Sequence, residues 1–275
     1  MDNLFSKTYD LILPIGCGCP TAISLEKCRM RFVSCPFDWI LITSVTTAAE
    51  MLTQRIEGLF ELEDLVSEEE NATCRVVTNR RWKWLSVHDF PKDKTLEEGR
   101  EIVVQKFQRR ISRLLERLDS GCSVLLYRLD YPLEKTMTSE DELKAGLEQI
   151  KAAFPKSDFS LLYLHNNPEL SYETRKEVHH TADITSIQFC YDAGNPVRNY
   201  DVRDALLAAV LRRISHSPRF VDTRAYRRYQ RFLSNVGADE KEWLDRWYFS
   251  SDMAELIMKK RFVWKLAKFL YRFCK

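Results

Sequence analysis

Residues 9–25 read Tyr9-Asp-Leu-Ile-Leu-Pro-Ile-Gly-Cys-Gly-Cys-Pro-Thr-Ala-Ile-Ser-Leu25, and this stretch decides the fold. Tyr9 to Ile15 is an apolar run of strand length. Gly16 and Gly18 end it in a turn. Pro20 then opens a helix over residues 20–30, because proline is tolerated in a helix's first turn. A strand fed through a glycine turn into a helix is the first half of an α/β unit. The turn also carries two cysteines. Cys19 lies nearer the helix start, where the dipole favours thiolate over thiol and free N–H groups can receive an oxyanion. Cys19 is therefore the better nucleophile, while Cys17 faces the core or the turn.

Downstream, the same alternation continues. Thr43 to Leu62 reads as a helix capped at Thr46 or Thr47, with Met51, Leu52, Ile56 and Phe60 at helical spacing. Residues 63–72 are acidic and read as a loop, and residues 74–88 as two short strands, a hairpin. Leu96 to Leu118 is an amphipathic helix stopped at Asp119-Ser-Gly121. Cys122 to Leu129 is a strand, Ser139 to Phe154 a helix with an acidic first turn, and Phe159 to His165 a strand. Tyr172 to Thr181 reads as a short helix and Ile184 to Tyr191 as a strand. Strands alternating with helices imply crossovers and a mostly parallel sheet flanked by helices, a Rossmann-like three-layer α/β core. Function in such sheets gathers at the carboxyl ends of the strands. Gly16 to Cys19, Arg128-Leu-Asp130 and His165-Asn-Asn167 all lie there.

The core is expected over 1–198, with a helical extension over 199–275 packed on it. Asp201 to Ile214 is an amphipathic helix in that extension. Residues 259–275 place Lys265, Lys268, Arg272 and Lys275 opposite Phe262, Leu266, Phe269 and Phe273. That pattern suits either a helix docked on the core or peripheral contact with an anionic membrane.

Composition narrows the classes. The chain has 275 residues, 45% of them hydrophobic and 30% charged, which is enough for a substantial core. A net charge of +2 gives no field that calls for nucleic acid. No apolar run is long enough to span a membrane, and the first residues lack a secretory leader. The eight cysteines are then expected as reduced thiols in a cytoplasmic protein, at most peripheral to the inner membrane face. Cys17, Cys19, Cys28 and Cys35 form a single Cys-x-Cys pair and two wider gaps, not the paired knuckles of a zinc site, so no metal or cofactor is expected.

A nucleophilic cysteine needs a base and an orienting group. Of five histidines, His88 closes a strand before a turn and is the best-placed base, with His165 the next candidate. Asp38 or Asp89 would hold the ring. Gly16, Gly18, Trp39, Arg109, Arg110 and Arg128 complete the expected substrate-binding set. The same residues allow a second reading. In that reading the turn cradles phosphate, and Arg109, Arg110 and Arg128 supply charge for a nucleotide-sugar or phosphorylated glycan, the cysteine being incidental. The missing third glycine of a Gly-x-Gly-x-x-Gly fingerprint weighs against a dinucleotide. A third reading, a non-catalytic scaffold, rests on the tail alone.

Gly16-x-x-Cys19-x-x-Ala22-x-x-Leu25, Pro36-Phe-Asp-Trp39, His88-Asp-Phe90, the Arg109-Arg110 pair and a strand ending in Arg128 together resemble a bacterial family named for papain-like cysteine peptidases. The resemblance covers roughly residues 8–170. It implies Cys19 as nucleophile, His88 as base and Asp38 or Asp89 as third member, in a cysteine-dependent hydrolase or acyl transferase. It also implies a setting in surface polysaccharide assembly, with a peptide, glycan or lipid-linked sugar as substrate. By name it implies a papain-like α+β fold, the alternative to the parallel sheet.

Overall fold

The computed structural model describes residues 3–16, 18–28, 30–70, 74–130, 138–171, 175–190 and 206–217. The chain divides into two units, Met1–Val221 and Asp222–Lys275. The second unit, including the expected helix over 259–275, lies outside the described residues, as does Cys17. Residues 206–217 of the expected extension fall in the first unit.

The elements in chain order are β1 (Thr8–Tyr9), β2 (Leu11–Pro14), α1 (Cys19–Lys27), β3 (Ile40–Ile42), α2 (Val45–Thr53), β4 (Leu65–Glu70), β5 (Cys74–Asn79) and β6 (Trp84–Pro91). Then follow α3 (Leu96–Ser120), β7 (Ser123–Leu129), α4 (Glu140–Ala153), β8 (Asp158–Asn166), β9 (Arg175–His179), β10 (Ile184–Phe189) and β11 (Ser215–His216). Residues 206–211 are helical as well.

The main sheet runs β2-β7-β8-β10-β9. Its first four strands are parallel, with Leu11 opposite Val124, Ser123 opposite Asp158 and Ile184 opposite Leu161. These strands are continuous apolar runs because both their faces are buried. Leu11, Leu13, Val124, Leu126, Phe159 and Leu161 pack into a core shared with α2, α3, α4 and the second sheet. Ile12, Leu125, Tyr127, Leu162 and Ile187 point the other way, against Leu25 of α1 and Leu207, Val210 and Leu211. The second sheet, β3-β6-β5-β4, is antiparallel throughout. Its Trp84 sends an edge into Phe60, which meets Phe107 of α3 with ring centroids 4.8 Å apart. β1 and β11 form a separate parallel pair.

The fold is thus mixed α/β, with parallel and antiparallel sheets. The Rossmann-like expectation finds no counterpart in the strand order. The parallel strands follow one another in chain order, without the reversal that creates a doubly wound sheet's binding crevice.

Three elements differ from the sequence reading. The acidic stretch expected as a loop at 63–72 contains β4. The short helix expected from Tyr172 contains β9, an edge strand antiparallel to β10. Both are polar segments that become strands only through pairing, and β9's charges suit an exposed edge. The helix expected to run from Thr43 to Leu62 stops at Thr53. Arg55, Ile56 and Gly58 then adopt positive φ, which no helix continues through. Its cap is Ser44, whose Oγ accepts from the Thr47 N–H at 3.0 Å. The caps of α3 and α4 are full capping boxes, Thr95 with Glu98 and Ser139 with Glu142.

Candidate active site

The turn that presents Cys19 is built on two glycines. Gly16 sits at φ +108°, and a Cβ there would lie 2.7 Å from Arg128 Nη1 and 3.1 Å from Ile42 Cβ. Gly18, the residue before α1, sits at φ +67°. The Thr21 hydroxyl donates to the Gly16 carbonyl at 2.7 Å and the Gly18 carbonyl at 3.0 Å, closing the turn. Cys19 is then the first helical residue and half-buried.

The helix start was expected to lower the Cys19 pKa. The structure reverses that sign. Burial pushes the thiol up, its own backbone N–H pulls the other way, and the charge of Asp89 adds to the upward push. At rest the sulfur is a protonated thiol, so a base is required to use it.

Asp89 comes from β6. It is nearly buried, accepts from Ser86 Oγ at 2.9 Å and is ion-paired with Lys106 of α3. Its neighbour His88 points the opposite way along the strand and is exposed. The His88 ring meets Trp39 edge-on, centroids 6.4 Å apart. Arg31 lies over the other ring system, its guanidinium carbon 5.5 Å from the Trp39 centroid. So Asp89 acts on Cys19 from one face of β6, while His88 meets Trp39 on the other. Cys19 Sγ and the His88 ring are not hydrogen-bonded to each other.

Asp38 serves differently from an imidazole partner. It is fully buried, and its Oδ2 accepts from Arg31 Nε at 3.2 Å, Arg31 Nη2 at 2.7 Å and the Cys35 N–H at 2.9 Å. Burial raises its carboxyl pKa while Arg31 opposes the rise. Its Oδ1 has no hydrogen-bond partner among the described residues, and no histidine bonds to it. Asp38 therefore folds the 31–39 loop that carries Trp39.

The arginines separate. Arg109 is exposed, whereas Arg110, one step round the helix, is half-buried over Phe107 with its charge acting on Asp38 and Asp89. Arg128, expected at a ligand, is a buried brace. Its Nε donates to Asp130 Oδ1 at 2.7 Å, its Nη1 to the Ile15 and Ile42 carbonyls, and its Nη2 to the Thr43 carbonyl. This ties the Cys19 turn to β3 and β7. Sequence reading missed Lys106 and Arg31. Lys106 had one usable signal, its place four residues before Arg110 on the helix. Arg31 had none beyond sequence nearness to Asp38.

A family model described as "putative papain-like cysteine peptidase" (DUF1796) matches residues 10–165. The chain belongs to this DUF1796 family. The matched region holds Gly16, Cys19, Asp38, Trp39, His88, Asp89 and Arg128, and ends at His165. No curated protein matches the chain, and no solved structure matches it. Among the described residues of this DUF1796 chain, no three His, Cys, Asp or Glu side chains converge as a metal ion would require. No described helix is long and apolar enough to cross a membrane.

Proposed function

We propose that the chain is a cysteine-dependent hydrolase or acyl transferase with Cys19 as its nucleophile. The observation that supports it best is the closeness of the α1 start to the sheet that carries His88 and Asp89: Leu41 of β3, the strand paired with β6, would lie 3.8 Å from a Cβ on Gly18, and Asp89 acts on the Cys19 thiol. A thiol held protonated at rest calls for general-base activation rather than a standing thiolate. In this reading the exposed His88 side chain turns in toward Cys19, takes the thiol proton as sulfur attacks a carbonyl carbon, and returns it to the leaving group. Asp89, on the adjacent position and paired with Lys106, stabilises the imidazolium through its charge. The N–H groups at the start of α1 face the developing oxyanion. Trp39, with Arg31 over its face and His88 edge-on to it, forms an apolar wall for the substrate, and Arg110 adds positive charge to the site.

The family supports a peptidase-type acyl chemistry. The phosphate-cradle reading loses its main cation, because Arg128 is spent on backbone carbonyls and Asp130. The test uses p-nitrophenyl acetate. Wild-type protein is expected to release a stoichiometric burst of p-nitrophenol and to carry an acetyl group on Cys19 by mass. Cys19→Ser should lose the burst, and His88→Gln should slow it about 100-fold or more. A burst that survives Cys19→Ser removes this reading.

A further inference from the structure

A second imidazole stands at the carboxyl edge of the main sheet, and it is the better oriented of the two. β7 and β8 are in parallel register, Arg128 opposite Tyr163 and Leu129 opposite Leu164. Alternation therefore sends Arg128 and Asp130 to the same face as Tyr163 and His165. Below them that face is aliphatic and aromatic: Val124, Leu126, Phe159 and Leu161. At the edge it turns into a hydrogen-bonded network.

Asp130 is its centre. Oδ1 accepts from Arg128 Nε at 2.7 Å. Oδ2 accepts from the Tyr163 hydroxyl and lies 3.5 Å from His165 Nδ1. The Tyr163 oxygen is also 3.4 Å from that nitrogen and accepts from the Thr138 N–H at 2.9 Å. The Tyr163 and His165 rings are nearly parallel, 20° apart. Thus His165 Nδ1 lies beside a carboxylate that is itself fixed by an arginine and a tyrosine, and is bonded to that tyrosine. The other ring nitrogen is different. Nε2 takes no hydrogen bond among the described residues, yet it is not sealed from solvent. His165 is largely buried, with Nε2 at the solvent edge, and a carboxylate beside one nitrogen with the other left unbonded is how an imidazole is prepared for proton transfer.

Burying such a network is costly unless it is fully paired, and an apolar cluster would serve stability as well. The network is also joined to the nucleophile's turn. The Arg128 guanidinium that holds Asp130 donates to the Ile15 carbonyl, immediately before Gly16. β7 lies between β2 and β8, so the two strand ends are about 10 Å apart. The His165 side chain and an acyl group carried on Cys19 reach toward each other across that gap, with room for an acceptor between them.

We propose that His165, oriented by Asp130 and Tyr163, is the base that activates the incoming acceptor in the second half of the Cys19 reaction. This rests on the Cys19 reading above. In that half-reaction His165 Nε2 takes the proton from water or a hydroxyl as its oxygen bonds to the acyl carbon. The carbon–sulfur bond breaks, and the proton ends on the released Cys19 thiolate. The acceptor class is thus a neutral O–H nucleophile.

The two phases of p-nitrophenyl acetate turnover separate the claims. The burst reports acylation of Cys19, and the later steady rate reports deacylation. His165→Gln should keep the burst and lose at least 10-fold in the steady rate, with acetyl-Cys19 accumulating by mass. His165→Ala should regain steady rate when free imidazole is added, which a merely structural loss would not. Tyr163→Phe, which keeps the core volume, should lower the steady rate with the burst intact, and it decides the matter if the His165 variants do not fold. A wild-type steady rate in His165→Gln, or in folded Tyr163→Phe in that case, overturns the assignment, as does a His165→Ala defect that imidazole leaves unchanged. A burst independent of Cys19 instead overturns the nucleophile.

Discussion

The Asp89 carboxylate of β6 lies close enough to Cys19 at the start of α1 to oppose ionisation of its thiol. The two residues are far apart in sequence, and they come together because the antiparallel sheet packs beside the Gly16–Gly18 turn. Leu41 of β3, the strand paired with β6, would lie 3.8 Å from a Cβ on Gly18. Burial first, and the Asp89 charge in addition, favour the protonated thiol.

Replacing Asp89 by Asn should therefore free the thiol. The mutation removes the opposing charge and leaves the Lys106 ammonium unpaired nearby, and both changes favour thiolate. Iodoacetamide should alkylate Cys19 several-fold faster in Asp89→Asn than in wild type at pH 7.5, followed by peptide mass mapping. In wild type, Cys19 should label no faster than an ordinary exposed thiol at that pH. Equal rates in the two proteins would mean that the carboxylate does not act on the sulfur.

The two turn glycines should respond unequally to alanine. Gly16→Ala meets both a positive φ and a clash with the buried Arg128 guanidinium 2.7 Å away, so a loss of about 3 kcal/mol is expected. Gly18→Ala has room for the Cβ, but its backbone at φ +67° and ψ −150° lies in a region essentially reserved for glycine, so a smaller loss of about 2 kcal/mol is expected. Urea midpoints of the two variants test the order, and a Gly18 cost equal to the Gly16 cost would contradict the crowding at Gly16.

Arg128→Met should be among the most damaging substitutions in the chain. It leaves Asp130 as a buried carboxylate without its arginine and takes donors from the Ile15, Ile42 and Thr43 carbonyls. Loss of one member of a buried ion pair costs about 3–5 kcal/mol. Denaturant unfolding followed by circular dichroism gives the measure, and a cost below about 1 kcal/mol would mean that Arg128 is not the brace described.

At the opposite end of the sheet, Asp183 joins Lys151 at 2.8 Å and Lys7 at 2.8 Å. Burial works against its carboxylate, but the two lysines outweigh that and hold its pKa below the usual range. A carboxylate with a depressed folded pKa stabilises the fold above its unfolded pKa, about 3.9. That contribution fades as pH falls from there toward the folded value. Lys7 and Lys151 have raised pKa values, burial being outweighed by their acid partners. Their contribution is present below about pH 10.4 and is lost as pH rises through the folded values. Asp183→Asn should accordingly be less stable than wild type at pH 7, with the gap closing below about pH 4. A gap that stays constant between pH 7 and pH 3 would refute the pairing.

The sequence by itself determined the parallel half of the fold and the glycine turn that presents Cys19. β2, β7, β8 and β10 are legible because strands buried on both faces must be apolar along their whole length, and α3 and α4 because their caps and their helical spacing are local. The glycines at 16 and 18 are legible because only that residue tolerates their backbone. Tertiary structure alone decided the rest. β4 and β9 are charged sequences that become strands only when a neighbour supplies hydrogen bonds. Asp38 belongs to Arg31 rather than to a histidine, and Arg128 to carbonyls rather than to a ligand, because both were buried by packing that no local pattern encodes. The state of Cys19 shows the division most directly. Its helix start, read locally, favours thiolate. Burial outweighs that, because losing water penalises the charged thiolate, and the charge of Asp89 from another sheet adds to the same side.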